Sequence, residues 1–174
     1  MFRAIADAEN PPGVAAEVPI PELEGDSPAA FLEGIQDAGN VGAIIRSAAA
    51  FGVEIVFLDR ACTDPWSPKV LRAGMGGHFV TAVRQVEDLP AAIRQTRVRL
   101  LSTVARGGRP LREADLSGRV GWAFGAEGAG LSPAILDLGT EKVTIPMAGA
   151  ESLNVAAAAA VCFYEGFSRP AGGS

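Results

Sequence analysis

Hydrophobic positions along the chain fall into short apolar runs separated by amphipathic stretches and glycine-rich turns. Ala29–Ile35 reads as a strand, and Asn40–Phe51 as a helix with apolar residues at helical spacing. Glu54–Leu58 is a β-branched and aromatic strand. Ser67–Gly74 reads as a short helix, with Ser67-Pro68 as cap and first turn. Phe79–Val83 follows as a short strand and Leu89–Arg97 as a helix. Val98–Val104 is mostly apolar, as expected of a strand buried on both faces. Arg119–Phe124 is a strand, Ser132–Leu138 a helix and Lys142–Ile145 a strand, and Ser152–Phe167 is the longest helix. Val14–Ile20 reads as an edge strand at most, because Pro19 and Pro21 lack the N–H that a central strand needs. Strands alternating with helices predict an α/β fold with a largely parallel sheet.

Ligands of such sheets bind beyond the carboxyl ends of the strands. Three segments place glycines and polar residues there: Gln36–Arg46, Gly125–Ser132 and Pro146–Asn154. In the first, a strand ends, a glycine turn follows, and a helix begins with free N–H groups and a positive dipole end. Gly42 and Arg46 share a helix face, so the glycine is expected to leave room for an anion beside the guanidinium. In the second, a buried strand runs into a loop holding Gly125, Gly128, Gly130 and Glu127. Glycine lets the backbone approach a ligand closely. The third glycine of a dinucleotide fingerprint is missing, and there is no P-loop. The glutamate suits a cationic or hydroxyl-bearing ligand better than a pyrophosphate. In the third, Ser152 is a natural N-cap for the alanine-rich helix, and Asn154 points into the same space.

Composition narrows the class. A chain of 174 residues, 48% hydrophobic and 20% charged, fits one globular domain. No apolar run reaches membrane-spanning length without a glycine or a charge, and the first residues do not read as a signal peptide. A cytosolic protein is expected. Cys62 and Cys162 lie far apart and outside any metal-binding spacing, so neither a disulfide nor a metal site is expected, and Cys162 reads as a buried thiol. His78, after two glycines, reads as a loop or surface residue. The net charge of -5 argues mildly against nucleic-acid binding, although a local contact is not ruled by net charge. Arg94, Arg97 and Arg99, and Arg106, Arg109 and Arg112, are candidate phosphate patches, with solvated faces the default.

The three segments together resemble the three motifs of the SpoU-type (TrmH-like) RNA 2′-O-ribose methyltransferases of the SPOUT superfamily. Asn40, Gly42 and Arg46 fit the first motif, N-x-G-x-x-x-R. Gly125, Glu127, Gly130, Leu131 and Ser132 fit the second, G-x-E-x-x-G-L-S. Ile145-Pro146-Met147 and Ser152-Leu153-Asn154-Val155 fit the third. Ser67-Pro68-Lys69-Val70-Leu71-Arg72-Ala73 is similar to a further family stretch, S-P-K-V-x-R-A. The resemblance runs from Phe31 to Glu165. It departs at Ala38, where the family often has proline, and a looser turn is expected there.

The resemblance implies a parallel-sheet α/β domain with a C-terminal trefoil knot that holds S-adenosylmethionine. By the same likeness Thr103, Gly125, Glu127, Gly130, Ile145, Met147 and Leu153 are the cofactor-binding candidates. Arg46 is the central catalytic candidate, and Asn40, Glu127, Ser152 and Asn154 orient it and the substrate. Arginine stays protonated, so positioning and charge stabilisation suit it better than base action. The implied substrate is tRNA or rRNA, and the implied assembly is a homodimer packed through the first and last helices. Residues 1–28 are expected to be a lead or linker remnant, 29–168 the catalytic domain and 169–174 a flexible tail. A nicotinamide oxidoreductase is disfavoured by the broken glycine fingerprint. A non-catalytic RNA-binding module with a degenerate site is disfavoured because Asn40, Arg46, Glu127, Ser152 and Asn154 are all present.

Overall fold

A computed structural model of the chain describes residues 16–25, 28–149 and 152–169. The edge-strand expectation over Val14–Ile20 falls partly outside them, and residues 16–20 carry no regular structure. The elements are β1 (Ala29–Glu33), α1 (Ala38–Ala50), β2 (Ile55–Leu58), α2 (Pro68–Gly74), β3 (Ala82–Gln85), α3 (Leu89–Thr96) and β4 (Arg99–Thr103). They continue with β5 (Arg109–Pro110), β6 (Val120–Gly125), α4 (Pro133–Leu136), β7 (Glu141–Thr144) and α5 (Val155–Ser168).

The strands form one sheet in the order β3-β2-β1-β6-β4-β7-β5, and every pairing is parallel. Parallel strands are covered on both faces, which explains the unbroken apolar runs. Along β1 the side chains alternate between two cores. Ala30 and Leu32 join Ile44, Ile45, Trp122 and Phe163 beneath α1 and α5. Ala29 and Phe31 join Phe57, Ile93, Leu100 and Ile135 beneath α3 and α4. Phe31 and Phe57 stack with ring centroids 5.3 Å apart. The strand order reverses between β1 and β6, and the crevice at such a switch point is where ligands of open α/β sheets bind.

Four local readings are corrected. The strand expected at Phe79–Val83 begins only at Ala82. Residues 77–79 instead form a 3-10 turn after Gly76, whose φ of 86° supplies the left-handed bend. His78 in that turn is buried, not surface-lying, and its Nε2 donates to the carbonyl oxygen of Pro65 at 2.9 Å. Gly42 does not open space for an anion: a Cβ there would lie 2.7 Å from the Val70 carbonyl oxygen, so the room is filled by α2. Helix α5 is capped by Asn154, not Ser152. Asn154 Oδ1 accepts from the amides of Ala156 at 3.0 Å and Ala157 at 3.3 Å.

Three of the six clustered arginines form local ion pairs among the described residues. Arg99 pairs with Asp115, Arg109 with Glu141 and Arg112 with Glu113. The Arg99 guanidinium holds the Asp115 carboxyl well below the usual carboxylate range.

Candidate active site

Two loops leave neighbouring strands at the switch point. Glu33 ends β1 beside Gly125, which ends β6. After β1, the Gly34 amide donates to both carboxylate oxygens of Asp59 at 3.1 Å. The Ile35 amide donates to Cys62 Sγ at 3.2 Å. Asp37 then caps α1, its carboxylate accepting from the Asn40 amide at 2.7 Å. Ala38 stands in the first helical position, where a proline would also be tolerated. These anchors leave the Asn40 side chain directed at the loop after β6.

That loop folds back on its own strand. Ala126 and Gly130 form an isolated antiparallel bridge, and a Cβ on Gly125 would overlap the Gly130 carbonyl. Gly128 and Gly130 have φ of 88° and 69°, the left-handed region that favours glycine. The far end of the loop is pinned by Glu33, whose carboxylate accepts from the Ser132 amide at 2.7 Å.

Three polar side chains from the three segments meet. Asn154 Nδ2 donates to Glu127 Oε1 and to Asn40 Oδ1, each at 2.9 Å. Asn40 Nδ2 donates to the same Glu127 oxygen at 3.3 Å. One carboxylate oxygen thus receives two amide donors, and the trio closes on itself.

Beside the trio lies a cavity of about 630 Å³. All seven cofactor candidates, Thr103, Gly125, Glu127, Gly130, Ile145, Met147 and Leu153, line it. Of the catalytic candidates, Ser152 and Asn154 also line it, while Asn40 reaches it through Glu127. Thr103 is held by its hydroxyl, which donates to the Ala123 carbonyl at 2.7 Å. Arg46 lies on the exposed side of α1, and among the described residues it forms no ion pair and no hydrogen bond to the trio. Ala150 and Glu151, inside the third segment, lie outside the described residues.

Residues 28–164 match the SpoU rRNA Methylase family. The chain belongs to that family. It is 39% identical over 174 residues to an uncharacterized tRNA/rRNA methyltransferase of Synechocystis, covering 95% of this chain and 64% of that protein. It is 34% identical to the 23S rRNA (guanosine(2553)-2′-O)-methyltransferase RlmP of Bacillus subtilis, over 94% of this chain and 68% of that one. Among solved structures, a TrmH-family protein of Porphyromonas gingivalis superposes with a TM-score of 0.81 at 30% identity, covering 95% of this chain and 70% of that chain. The SpoU methyltransferase AviRb of Streptomyces viridochromogenes, solved with the cofactor AdoMet, superposes at 0.77 and 28% identity, covering 84% and 61%. The chain thus spans about two thirds of the length of these relatives.

Sequence reasoning missed part of the lining of this cavity. Cys162 and Ala158 of α5 line the cavity from below, and burial raises the Cys162 thiol above its ordinary value. Their helical spacing from Asn154 was the available signal. Arg106 also lines the cavity, whereas its cluster neighbours Arg109 and Arg112 pair with Glu141 and Glu113. Glu33 carried no motif signal, since its role depends on the β1–β6 pairing.

No helix among the described residues is long and apolar enough to cross a membrane.

Proposed function

We propose that this chain transfers a methyl group from S-adenosylmethionine to a ribose 2′-hydroxyl of RNA. The single observation that carries the reading is the joining of Asn40, Glu127 and Asn154 at the rim of a cavity lined by every cofactor candidate.

The residues fit the cofactor. About 630 Å³ falls within the ~300–1,000 Å³ of small-molecule sites. Gly125 and Gly130 bring bare backbone to the wall, and the Glu127 carboxylate suits a cationic ligand. When bound, S-adenosylmethionine supplies a methyl group made electrophilic by its sulfonium charge. Thr103, Gly125, Gly130, Ile145, Met147 and Leu153 would hold it, and Glu127 would stand at its charged end.

The chain's own groups then position the acceptor. The Arg46 guanidinium binds an RNA phosphate and stabilises charge developing on the 2′-oxygen. Asn40, Glu127, Ser152 and Asn154 fix the approach, and such alignment can supply most of the barrier reduction. The acceptor belongs to tRNA or rRNA, in keeping with the names of the relatives.

The same reading includes a C-terminal trefoil knot built from the second and third segments. It includes a homodimer in which α1 and α5 pack between subunits. The exposed aromatics Tyr164 and Phe167, gathered around Phe51, support that face. It also includes a catalytic domain over 29–168, a lead over 1–28, a tail over 169–174 and a cytoplasmic location. The test is ribose-methylation mapping of cellular RNA with and without the gene. One 2′-O-methyl group should vanish on deletion; an unchanged map contradicts the reading.

A further inference from the structure

The catalytic arginine sits on α1, yet nothing in the polar trio holds it. Its backbone is held from the other side. The 3-10 turn over residues 77–79 abuts α1: a Cβ on Gly77 would lie 3.0 Å from the Ile45 carbonyl oxygen and 3.2 Å from Arg46 Cα. The next residue, His78, is 3% exposed. Its Nε2 donates to the Pro65 carbonyl at 2.9 Å, and because a carbonyl only accepts, the proton sits on Nε2. Nδ1 is buried and has no hydrogen-bond partner among the described residues. The ring lies against Trp66, 5.2 Å between centroids, and over Gly74, where a Cβ would come within 2.7 Å of Cε1. Gly74 in turn adjoins Gly42 of α1, where a Cβ would lie 2.9 Å from the Gly74 amide. Close contacts at Gly77, Gly74 and Gly42, together with His78, therefore lock the turn, α2 and α1 together beside Arg46.

We infer that His78 is a positioning residue for Arg46, pinning the turn that seats the arginine's backbone. The inference rests on the role given to Arg46 above. An imidazole with one donated bond and one buried bare nitrogen is a costly choice for packing alone. The bond to Pro65 ties the turn to the chain segment before α2, and Gly77 carries that anchorage to α1.

The test uses the full chain with His78→Phe, which fills the ring space without a donor, and His78→Gln, which keeps an N–H near the Nε2 position. Gly77→Ala disturbs the same contact from the other side. Methyl-transfer kinetics, cofactor affinity by calorimetry and the Arg46 amide resonance are measured. His78→Phe and Gly77→Ala should lower kcat roughly 10- to 100-fold. The affinity for S-adenosylmethionine should stay within about threefold. The Arg46 resonance should move in both, and His78→Gln should recover most of kcat and the native resonance. The inference is overturned if His78→Phe turns over normally, if His78→Gln falls as far, or if cofactor affinity falls in step with kcat. Should the unaltered chain methylate no RNA, the functional reading falls. The Arg46 resonance then still decides the positioning: an unmoved signal in His78→Phe overturns it.

Discussion

The side-chain amide of Asn154 donates to the side-chain oxygen of Asn40 at 2.9 Å, across 114 residues of chain. The same Asn154 caps α5 with its oxygen. One residue therefore closes the polar trio with its nitrogen and starts a helix with its oxygen. The two duties can be separated.

Asn154→Ser keeps an oxygen for the cap and loses both amide donations. Its melting temperature should stay close to that of the unaltered chain, while methyl transfer falls at least about tenfold. Asn154→Ala should fall as far in activity and also lose about 1 kcal/mol of stability with the cap. Thermal melting and single-turnover assays check both. Equal activity in Asn154→Ser and the unaltered chain would remove the trio from the mechanism.

Gly125 leaves no room for a side chain, because a Cβ would overlap the Gly130 carbonyl. Gly125→Val should push the loop outward into the cavity and abolish cofactor binding measured by calorimetry. An unchanged affinity would place the cofactor elsewhere.

Glu33 holds the far end of the same loop through the Ser132 amide. Glu33→Ala leaves that amide unpaired, at a cost of about 1–3 kcal/mol. The affinity for S-adenosylmethionine should fall roughly 5- to 100-fold, whereas Glu33→Gln, which retains an acceptor, should lose less. Calorimetry on the two variants separates them, and identical losses would contradict the anchoring role.

Cys62 supports the loop to Asn40, and burial pushes its thiol up to about 12 from 9.0. The folded chain thus keeps this proton where the unfolded chain loses it. Its contribution to stability is complete below pH 9.0 and is lost as pH rises toward 12. At pH 8 a disulfide exchange reagent should leave Cys62 untouched in the folded chain and modify it after denaturation. Rapid labelling of the native protein would show the loop to be open.

Much of this architecture was legible in the residue pattern, for identifiable reasons. The strands at β1, β4 and β6 announce themselves because their centres are buried on both faces and their runs are mostly apolar. Asn40, Glu127 and Asn154 stand in glycine-bearing segments that follow strand ends, so their convergence could be expected once the sheet was parallel. The cap of α5 was misread because Ser152 and Asn154 both have capping side chains, and only geometry chooses between them. Gly42 and His78 were misread because each owes its role to α2, an element distant from the trio in sequence. The two-residue β5 is too short to carry a periodic signal.

The central claim is that Arg46 serves the acceptor and the cavity serves the methyl donor. The most direct test incubates the unaltered chain and Arg46→Ala with methyl-labelled S-adenosylmethionine and ribosomal or transfer RNA, alongside calorimetry with the cofactor. The unaltered chain should place label on a ribose 2′-oxygen, and Arg46→Ala should bind the cofactor with similar affinity yet transfer almost none. Label on a base, or normal transfer by Arg46→Ala, would contradict the account.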